Sequence, residues 1–262
     1  MRDPVKQLRT NWLGRPLHTY VELNSTNTLL SELAARDAPV GTTVLAAYQS
    51  QGRGRGRRRW QAPPGTSLLF SLLFRPQWPA VQAHWLTMLS GLAIAGAVED
   101  VAPLRVGLKW PNDVMIWDTA RADPQWCKAG GILLETQLDG DRLQQAIAGI
   151  GLNVNIRRPD LPAGATPATS LLAAAGHPLP CFTILAHILQ RLEALYEEAA
   201  AGHSPQPAWD ARLITRNKHV RVTTHDYVVE GLAVGSDEWG RLLVRTPDGQ
   251  LHRFAAADVT LR

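Results

Sequence analysis

The residues best suited to chemistry in this chain are five arginines interleaved with glycines at residues 52–60, which read Gly-Arg-Gly-Arg-Gly-Arg-Arg-Arg-Trp. Guanidinium groups make paired hydrogen bonds to phosphates and carboxylates, and glycines let backbone amides approach a ligand closely. The run is too polar and too rich in glycine for a packed helix or a buried strand. It predicts a flexible loop that binds an anion, with a solvated basic loop or a nucleic-acid patch as the alternatives.

Two further clusters combine a lysine with groups that suit phosphate chemistry. Residues 109–113 read Lys-Trp-Pro-Asn-Asp, and residues 128–133 read Lys-Ala-Gly-Gly-Ile-Leu. Asn112 and Asp113 offer hard oxygen ligands for Mg²⁺, and a structural turn after the proline is the alternative interpretation. Lys128 leads into small residues that leave its ammonium unobstructed, although by itself it is typical of a surface lysine at the start of a strand.

The composition indicates a globular protein with one large domain, or a large and a small one. The chain has 262 residues, of which 45% are hydrophobic and 19% charged. The net charge of +4 is local, because the arginine-rich loop alone carries five positive charges. A dedicated DNA-binding domain usually spreads its basic residues over a face or a helix, so we expect a local anion site and no nucleic-acid partner.

Cysteine usage and hydropathy point to the cytoplasm. Cys127 and Cys181 belong to no Cys-x-x-Cys or His/Cys cluster, which argues against zinc and a disulfide. Residues 1–17 lack the apolar region of a signal peptide, and no uncharged apolar run of membrane-spanning length occurs. We therefore expect no membrane partner.

The elements that must position these clusters begin with strands around the loop. Alternation predicts strands at residues 18–23 and 42–48, and a continuous apolar run predicts a buried strand at 67–74. A helix is expected from about residue 28, with Ser25 or Thr26 as its N-cap. Those hydroxyls either cap the helix or also face a ligand together with the helix amides.

Residues 81–156 are predicted to form one long helix followed by several strands. A helix is expected at residues 81–101, then a strand from 104 that leads into the 109–113 cluster, a polar surface loop at 118–126 and a strand that opens at 128. Asp139-Gly140-Asp141 signals a hairpin turn. In the returning strand, 143–156, Gly149 and Gly151 keep one position open for close approach.

The pattern of hydrophobic residues changes near Thr215. Before it, helices are expected at residues 170–175, 182–201 and 209–214. After it, short period-two segments separated by turns predict a small β-barrel. We therefore divide the chain into residues 1–214 and 215–262.

Taken together and in this order, the stretches 52–60, 109–113, 128–133 and 149–153 (Gly-Ile-Gly-Leu-Asn) resemble biotin protein ligases. Ser25-Thr26-Asn27 and Gln49 add matches in the same order, and each motif alone is weak whereas the ordered set is specific. The resemblance covers residues 19–155. It implies an α/β (α+β) fold, with a mixed β-sheet catalytic core of the biotin/lipoate ligase type with helices, plus a C-terminal SH3-like β-barrel.

Two departures qualify the resemblance. The family loop usually reads Gly-Arg-Gly-Arg-Arg-Gly-Arg-x-Trp, and Gly56 and Arg57 look exchanged here. Arg53 and Arg55 are carried over, whereas the roles of Arg57, Arg58 and Arg59 stay open. Too few residues precede residue 18 for the winged helix-turn-helix repressor domain of bifunctional members, so we expect a monofunctional ligase.

The resemblance implies that the protein makes biotinyl-5′-AMP from biotin and ATP with Mg²⁺. It then passes biotin to a lysine of a biotin carboxyl carrier protein domain of a biotin-dependent carboxylase. The oligomeric state is left open, with a homodimer as one alternative. The residues that match the family's catalytic positions are Lys128, Arg53 and Arg55.

The implied binding residues fall into three sets. The biotin set is Ser25, Thr26, Asn27, Gln49, Gly52, Arg53, Arg55, Lys128, Gly131 and Gly151. The ATP set is Arg55, Trp60, Lys109, Asn112 and Asn153, in which Trp60 stacks on adenine or is instead a core aromatic. The Mg²⁺ set is Asn112 and Asp113.

Two competing functions remain open. A lipoate or octanoate ligase or transferase shares the α/β core, but lacks the Gly-Arg loop and the Lys-Trp-Pro-Asn-Asp motif. A non-enzymatic nucleic-acid-binding module would show a steeply salt-dependent affinity and no ATP–pyrophosphate exchange.

Overall fold

A computed structural model describes residues 8–56, 58–164 and 166–261, and its first layer is a seven-stranded mixed sheet. The strand order is β1-β2-β3-β7-β6-β5-β4, with β1 and β2 parallel and the other neighbours antiparallel. The strands are β1 (Leu17–Leu23), β2 (Thr43–Gln49), β3 (Ser67–Phe74), β4 (Val106–Lys109), β5 (Asp113–Asp118), β6 (Gln125–Asp139) and β7 (Arg142–Asn153).

Helices cover both faces of this sheet. They are α1 (Thr26–Ala34), α2 (Trp85–Val101), α3 (Leu171–Ala175), α4 (Cys181–Ala200) and α5 (Gln206–Arg212). The larger core lies between the sheet, α2 and α4, whereas α1 packs on the opposite face through Leu30 against Val44 and Leu73. By length and composition Ala80–Val101 would suffice to cross a membrane, yet 72% of its most apolar window is buried inside the protein.

The register of three central strands puts small residues on the face that α1 covers. Ser71 of β3 lies opposite Gly149 of β7, and Gly151 of β7 lies opposite Gly131 of β6. Residues directly opposite one another share a face of the sheet, and so do residues two apart on one strand. One face therefore carries a bare patch beside α1, which we call the glycine floor: Gly131, Gly149 and Gly151.

The C-terminal residues form a separate antiparallel sheet, which confirms the predicted fold class of a mixed-sheet core followed by a small β-unit. Its order is β11-β10-β9-β8-β12. The strand β12 pairs with β8 and was not identified in the sequence, because it is only four residues long and holds a single buried side chain, Val259. The strands are β8 (Lys218–Thr223), β9 (Val228–Ser236), β10 (Leu242–Arg245), β11 (Leu251–Phe254) and β12 (Asp258–Leu261).

The prediction of a polar surface loop over residues 118–126 is wrong at both ends. Gln125 and Trp126 already belong to β6. Asp118 ends β5 and is fully buried. Burial opposes its ionisation, but hydrogen bonds from Arg158 and Thr169 outweigh that effect and lower the pKa of Asp118. These partners are 40 and 51 residues away in sequence, so no local pattern indicates them.

Candidate active site

A pocket opens above the glycine floor, next to the start of α1. The predicted site residues that line it come from six separate segments of the chain. They are Ser25, Thr26, Asn27, Gln49, Arg53, Arg55, Trp60, Asn112, Asp113, Lys128, Gly131 and Gly151. Gly52 borders an adjoining pocket that shares Gln49, Arg59 and Trp60 with the first, and Lys109 and Asn153 line neither.

Two glycines of the floor, Gly149 and Gly151, have no room for a side chain. A Cβ atom on Gly149 would lie 2.1 Å from Asn27 Oδ1, and one on Gly151 would lie 2.5 Å from Trp60 Cε2. Both distances are far below a normal van der Waals contact. The glycines are therefore required by what lies directly above them, and not by an unusual backbone conformation.

One end of the pocket is a buried polar wall, which we define as Ser25, Thr26, Asn27, Gln49 and Ser71. Gln49 Oε1 accepts hydrogen bonds from the backbone N of Thr26 at 2.7 Å and from its Oγ1 at 3.1 Å. Ser71 Oγ lies 2.7 Å from Thr26 Oγ1 and 2.5 Å from Asn27 Oδ1. Ser25 is the N-cap residue of α1, but its side chain makes no capping bond, so its hydroxyl is left for a ligand.

Lys128 is brought into the pocket by a register shift in the sheet. The pairing of β5 with β6 shifts between Val114 and Met115, so that Lys128 lies opposite Met115. Without the shift Lys128 would lie opposite Ile116 and point to the other face, because a one-residue slip inverts every side chain. Its Nζ instead lies 2.5 Å from Asp113 Oδ1.

The arginine loop, residues 52–60, folds back on itself over the pocket. The backbone N of Trp60 donates to Gly52 O at 3.0 Å, and the N of Gly54 donates to Arg58 O at 2.9 Å. Gly56 lies at the tip with φ +63°, in the left-handed region that favours glycine. A glycine at position 56, where the family loop usually has arginine, therefore suits this backbone conformation. Arg57, the other residue of the exchanged pair, lies outside the described residues.

Three arginine side chains of the loop contact four groups outside it. Arg53 Nη2 donates to Glu135 Oε2 on β6 at 2.7 Å. Arg55 Nη1 donates to Asn112 Oδ1 at 3.4 Å, and its Nη2 donates to Ala257 O in the C-terminal unit at 3.2 Å. Arg58 pairs with Asp258 at the start of β12. The loop is thus held between the first sheet and the C-terminal unit.

Burial changes the electrostatics of two cations near the pocket. It lowers the pKa of Arg55, which nearby Asp258 and Asp113 partly oppose, and the guanidinium stays charged at neutral pH. Burial also lowers the pKa of Lys109, whose Nζ lies 3.4 Å from Thr166 Oγ1. Several positive charges are therefore concentrated beside the pocket before any anion enters.

Two predicted site residues, one lining the pocket and one at the end of β7, have a buried polar atom without a protein partner among the described residues. These atoms are Trp60 Nε1 and Asn153 Oδ1. The Trp60 ring rests on the glycine floor with Lys128 Nζ 5.9 Å from its centroid, and Asn153 Nδ2 donates to Thr169 O at 3.1 Å. Buried polar groups are normally satisfied, so this pair is suited to a polar ligand.

The chain supplies few ligands for a metal ion. Among the described residues, no group of three or more His, Cys, Asp or Glu side chains could hold one. Asp113 contributes one carboxylate that already contacts Lys128, and Asn112 Oδ1 accepts from Arg55. Mg²⁺ is often held by one or two carboxylates together with substrate phosphates and water, and Asn112 and Asp113 fit only such an arrangement.

The sequence did not identify Ser71, Glu135 or Asp258 as part of the site. Ser71 interrupts an apolar strand, which is a usable signal for a buried polar role. Glu135 and Asp258 are ordinary charged residues in their local sequence, and only the pairing of β6 with β7 and the docking of β12 reveal their positions.

Comparisons with known proteins define the class. Residues 20–153 match the biotin/lipoate A/B protein ligase family, and residues 215–262 match the biotin protein ligase C terminal domain. The chain belongs to the biotin/lipoate A/B protein ligase family.

Several relatives and structural neighbours of the chain are described as biotin ligases. The chain is 34% identical over 257 residues to the bifunctional ligase/repressor BirA of Bacillus subtilis, covering 97% of this chain and 76% of that protein. It is 33% identical over 250 residues to the biotin--[acetyl-CoA-carboxylase] ligase of Mycobacterium tuberculosis, covering 92% and 87%. Its fold matches biotin protein ligase from Aquifex aeolicus in complex with biotin and ATP at a TM-score of 0.75, with 26% identity and coverage of 94% and 98%.

Proposed function

We propose that this protein is an ATP-dependent biotin–protein ligase that makes biotinyl-5′-AMP and transfers biotin to a lysine of a biotin carboxyl carrier protein domain. The observation that carries the proposal is the position of Lys128, whose ammonium lies between Asp113, the glycine floor and the arginine loop. The family and its biotin-utilising members supply the identity of the substrates.

In the first step an oxygen of the biotin carboxylate attacks the α-phosphate of ATP, the bond to the β-phosphate breaks and pyrophosphate leaves. Both reacting groups are anions. Lys128, Arg53 and Arg55 supply the positive charge that lets them meet and that stabilises charge in the transition state. An ammonium has three N–H donors, so Lys128 keeps its bond to Asp113 while it also binds substrate oxygens. Asp113 thereby orients the lysine.

The polar wall is the proposed site for the ureido group of biotin, which has two N–H donors and one carbonyl acceptor. Ser25, Thr26 and Asn27 come from the start of α1, and Gln49 from the end of β2. Their mutual hydrogen bonds fix the geometry before the ligand arrives, which reduces the entropy cost of binding. Gly131 and Gly151 line the same pocket and let the ligand approach their backbone, and Gly52 lines the adjoining pocket.

The nucleotide is placed at the boundary of the two pockets, where Trp60 borders both and can stack on adenine. Asn153 Oδ1, on the same strand as Gly151, is a buried acceptor without a partner among the described residues. Arg55, Asn112 and Lys109 lie on the side of the phosphates. Mg²⁺ bound by the phosphates together with Asn112 and Asp113 would neutralise part of their charge.

The arginine loop covers the intermediate. Its partly exposed anchors suit a segment that opens for substrates and closes over the product of the first step. A closed loop shields the mixed anhydride of biotinyl-AMP from water until the carrier lysine arrives.

We propose residues 1–214 as the catalytic domain and 215–262 as the C-terminal domain, in agreement with the start of β8 at Lys218. The partner is the carrier domain of a biotin-dependent carboxylase, in the cytoplasm, and a homodimer is one possible assembly. No nucleic-acid partner is proposed, since Arg53, Arg55 and Arg58 contact groups of the chain itself.

Biotin-dependent ATP–pyrophosphate exchange by the purified protein tests the proposal. We expect exchange with biotin, much weaker exchange with lipoate, and labelling of an added carrier domain only with biotin. Exchange with lipoate in preference to biotin would show a lipoate ligase. Salt-sensitive binding of DNA or RNA without any exchange would support the nucleic-acid-binding alternative.

A further inference from the structure

One carboxylate connects the buried polar wall to the arginine loop. Glu135 Oε2 accepts hydrogen bonds from Asn27 Nδ2 at 2.6 Å and from Arg53 Nη2 at 2.7 Å. Asn27 is 3% exposed, whereas the side chain of Arg53 is 44% exposed. The same oxygen therefore binds one fixed group and one that must move when the loop opens.

The position of Glu135 follows from the sheet. Leu133 pairs with Gly149, and Glu135, two residues further along β6, lies on the same face as the glycine floor. That face brings its carboxylate under the arginine loop and beside the Asn27 side chain.

Glu135 also fixes the orientation of the Asn27 amide. Asn27 Oδ1 accepts from Ser71 at 2.5 Å, and Nδ2 donates to Glu135. The Ser71 hydroxyl could accept from the nitrogen of a flipped amide, but the Glu135 carboxylate can only accept, so a flip would set two oxygens against each other there. Asn27 in turn presses against Gly149 of the floor.

We propose that Glu135 is a positioning residue that sets the closed position of the arginine loop according to the state of the polar wall, and so determines how long biotinyl-AMP is retained. The inference rests on the proposed function. Glu135 binds Arg53 and Asn27 and does not contact the reacting atoms. The loop closes onto a carboxylate that is itself held by a residue of the biotin-binding wall.

Glu135→Gln tests the contact with Arg53 separately from the contact with Asn27. The glutamine oxygen still accepts from Asn27, but the charge that attracts Arg53 is lost. The pair is partly exposed, so we expect biotinyl-AMP to dissociate about three- to tenfold faster, with KM for biotin within about twofold of the wild-type value. Glu135→Ala also removes the acceptor for Asn27 and is expected to raise KM for biotin as well.

Glu99→Gln is a matched control. Glu99 forms an ion pair of similar exposure with Arg212 at 2.8 Å between α2 and α5, away from the pocket. This variant should release the intermediate at the wild-type rate. Glu135→Asp is a second test that keeps the charge on a shorter side chain, which cannot reach both partners, and it should also accelerate release.

The decisive readout is a double-mutant cycle with Arg53→Gln. If Glu135 acts through Arg53, Glu135→Gln adds no further acceleration of release in the Arg53→Gln background. Release at the wild-type rate by Glu135→Gln, or equal acceleration in both backgrounds, would overturn the inference. A wild-type protein without biotin-dependent exchange would instead overturn the proposed function, so the two failures are distinguishable.

Discussion

The polar wall and the arginine loop face each other across one pocket and are held in opposite ways. In the wall, Asn27 and Ser71 are 3% and 0% exposed and are fixed by hydrogen bonds within the domain. In the loop, the Arg58 side chain is 63% exposed and contacts the C-terminal unit. The difference suggests that the wall selects the ligand, whereas the loop retains what has been made from it.

This contrast has an energetic basis. A buried polar group left without its partner costs about 1–3 kcal/mol, while a partly exposed ion pair contributes about 0–1 kcal/mol. Breaking the hydrogen bonds of the wall therefore costs substantial free energy, and the wall stays formed without ligand. The loop contacts are weak enough to break during each catalytic cycle.

Removing the positive charge of Lys128 should have the largest effect. Lys128→Ala deletes the ammonium proposed to stabilise the transition state, and we expect adenylate formation to fall by about 10²- to 10³-fold. ATP–pyrophosphate exchange measures it, with circular dichroism to verify folding. Lys218→Ala, an exposed lysine of β8, is the control and should retain wild-type activity. Near-normal exchange by Lys128→Ala would refute the assignment of that lysine.

Adding a side chain to the glycine floor should have the second-largest effect, because it displaces a residue of the polar wall. The new methyl group of Gly149→Ala would overlap Asn27 Oδ1, and the required shift is expected to cost about 1–3 kcal/mol in biotin binding, or up to about a hundredfold in Kd. Isothermal titration with biotin measures the loss. Gly164→Ala, whose Cβ has no neighbour closer than 3.8 Å, should bind normally. Unchanged binding by Gly149→Ala would show that the wall adjusts easily.

A smaller effect is expected from Ser71→Ala. The change removes a hydroxyl that contacts both Thr26 and Asn27, and leaves those buried groups one partner short. We expect biotin affinity to fall by about tenfold, equivalent to about 1.4 kcal/mol, with little change in the rate of intermediate release. An effect on release larger than that on affinity would contradict the division between wall and loop.

The smallest effect is expected at the outer end of the loop. Asp258→Asn removes the partner of Arg58, and both side chains are more than half exposed. We expect release of biotinyl-AMP to accelerate by about fivefold or less at low salt, and the difference from wild type to vanish near 1 M salt. A salt-independent effect would indicate that Asp258 acts in some other way.

The sequence was sufficient for most of the elements and for the motifs, because these have local signals. The continuous apolar run predicted the buried strand Ser67–Phe74, and Asp139-Gly140-Asp141 predicted the turn between β6 and β7. The ordered motifs indicated the family, and most of their residues line one pocket.

What the sequence could not supply depends on pairing between distant strands. The register shift that turns Lys128 towards Asp113 has no local signature, since a slip of one residue leaves the sequence unchanged. The same holds for Glu135, whose partners Asn27 and Arg53 are 108 and 82 residues away in sequence. Burial of Asp118 was missed for this reason too.

The most direct test of the division between wall and loop is the rate at which preformed biotinyl-AMP leaves the protein. Arg55 links the loop to both Asn112 and Ala257, so Arg55→Gly should release the intermediate at least about tenfold faster and label bystander lysines, while adenylate synthesis stays measurable. Arg36→Gly, an exposed position after α1, serves as the control. Release at the wild-type rate, with labelling confined to the carrier domain, would contradict the account.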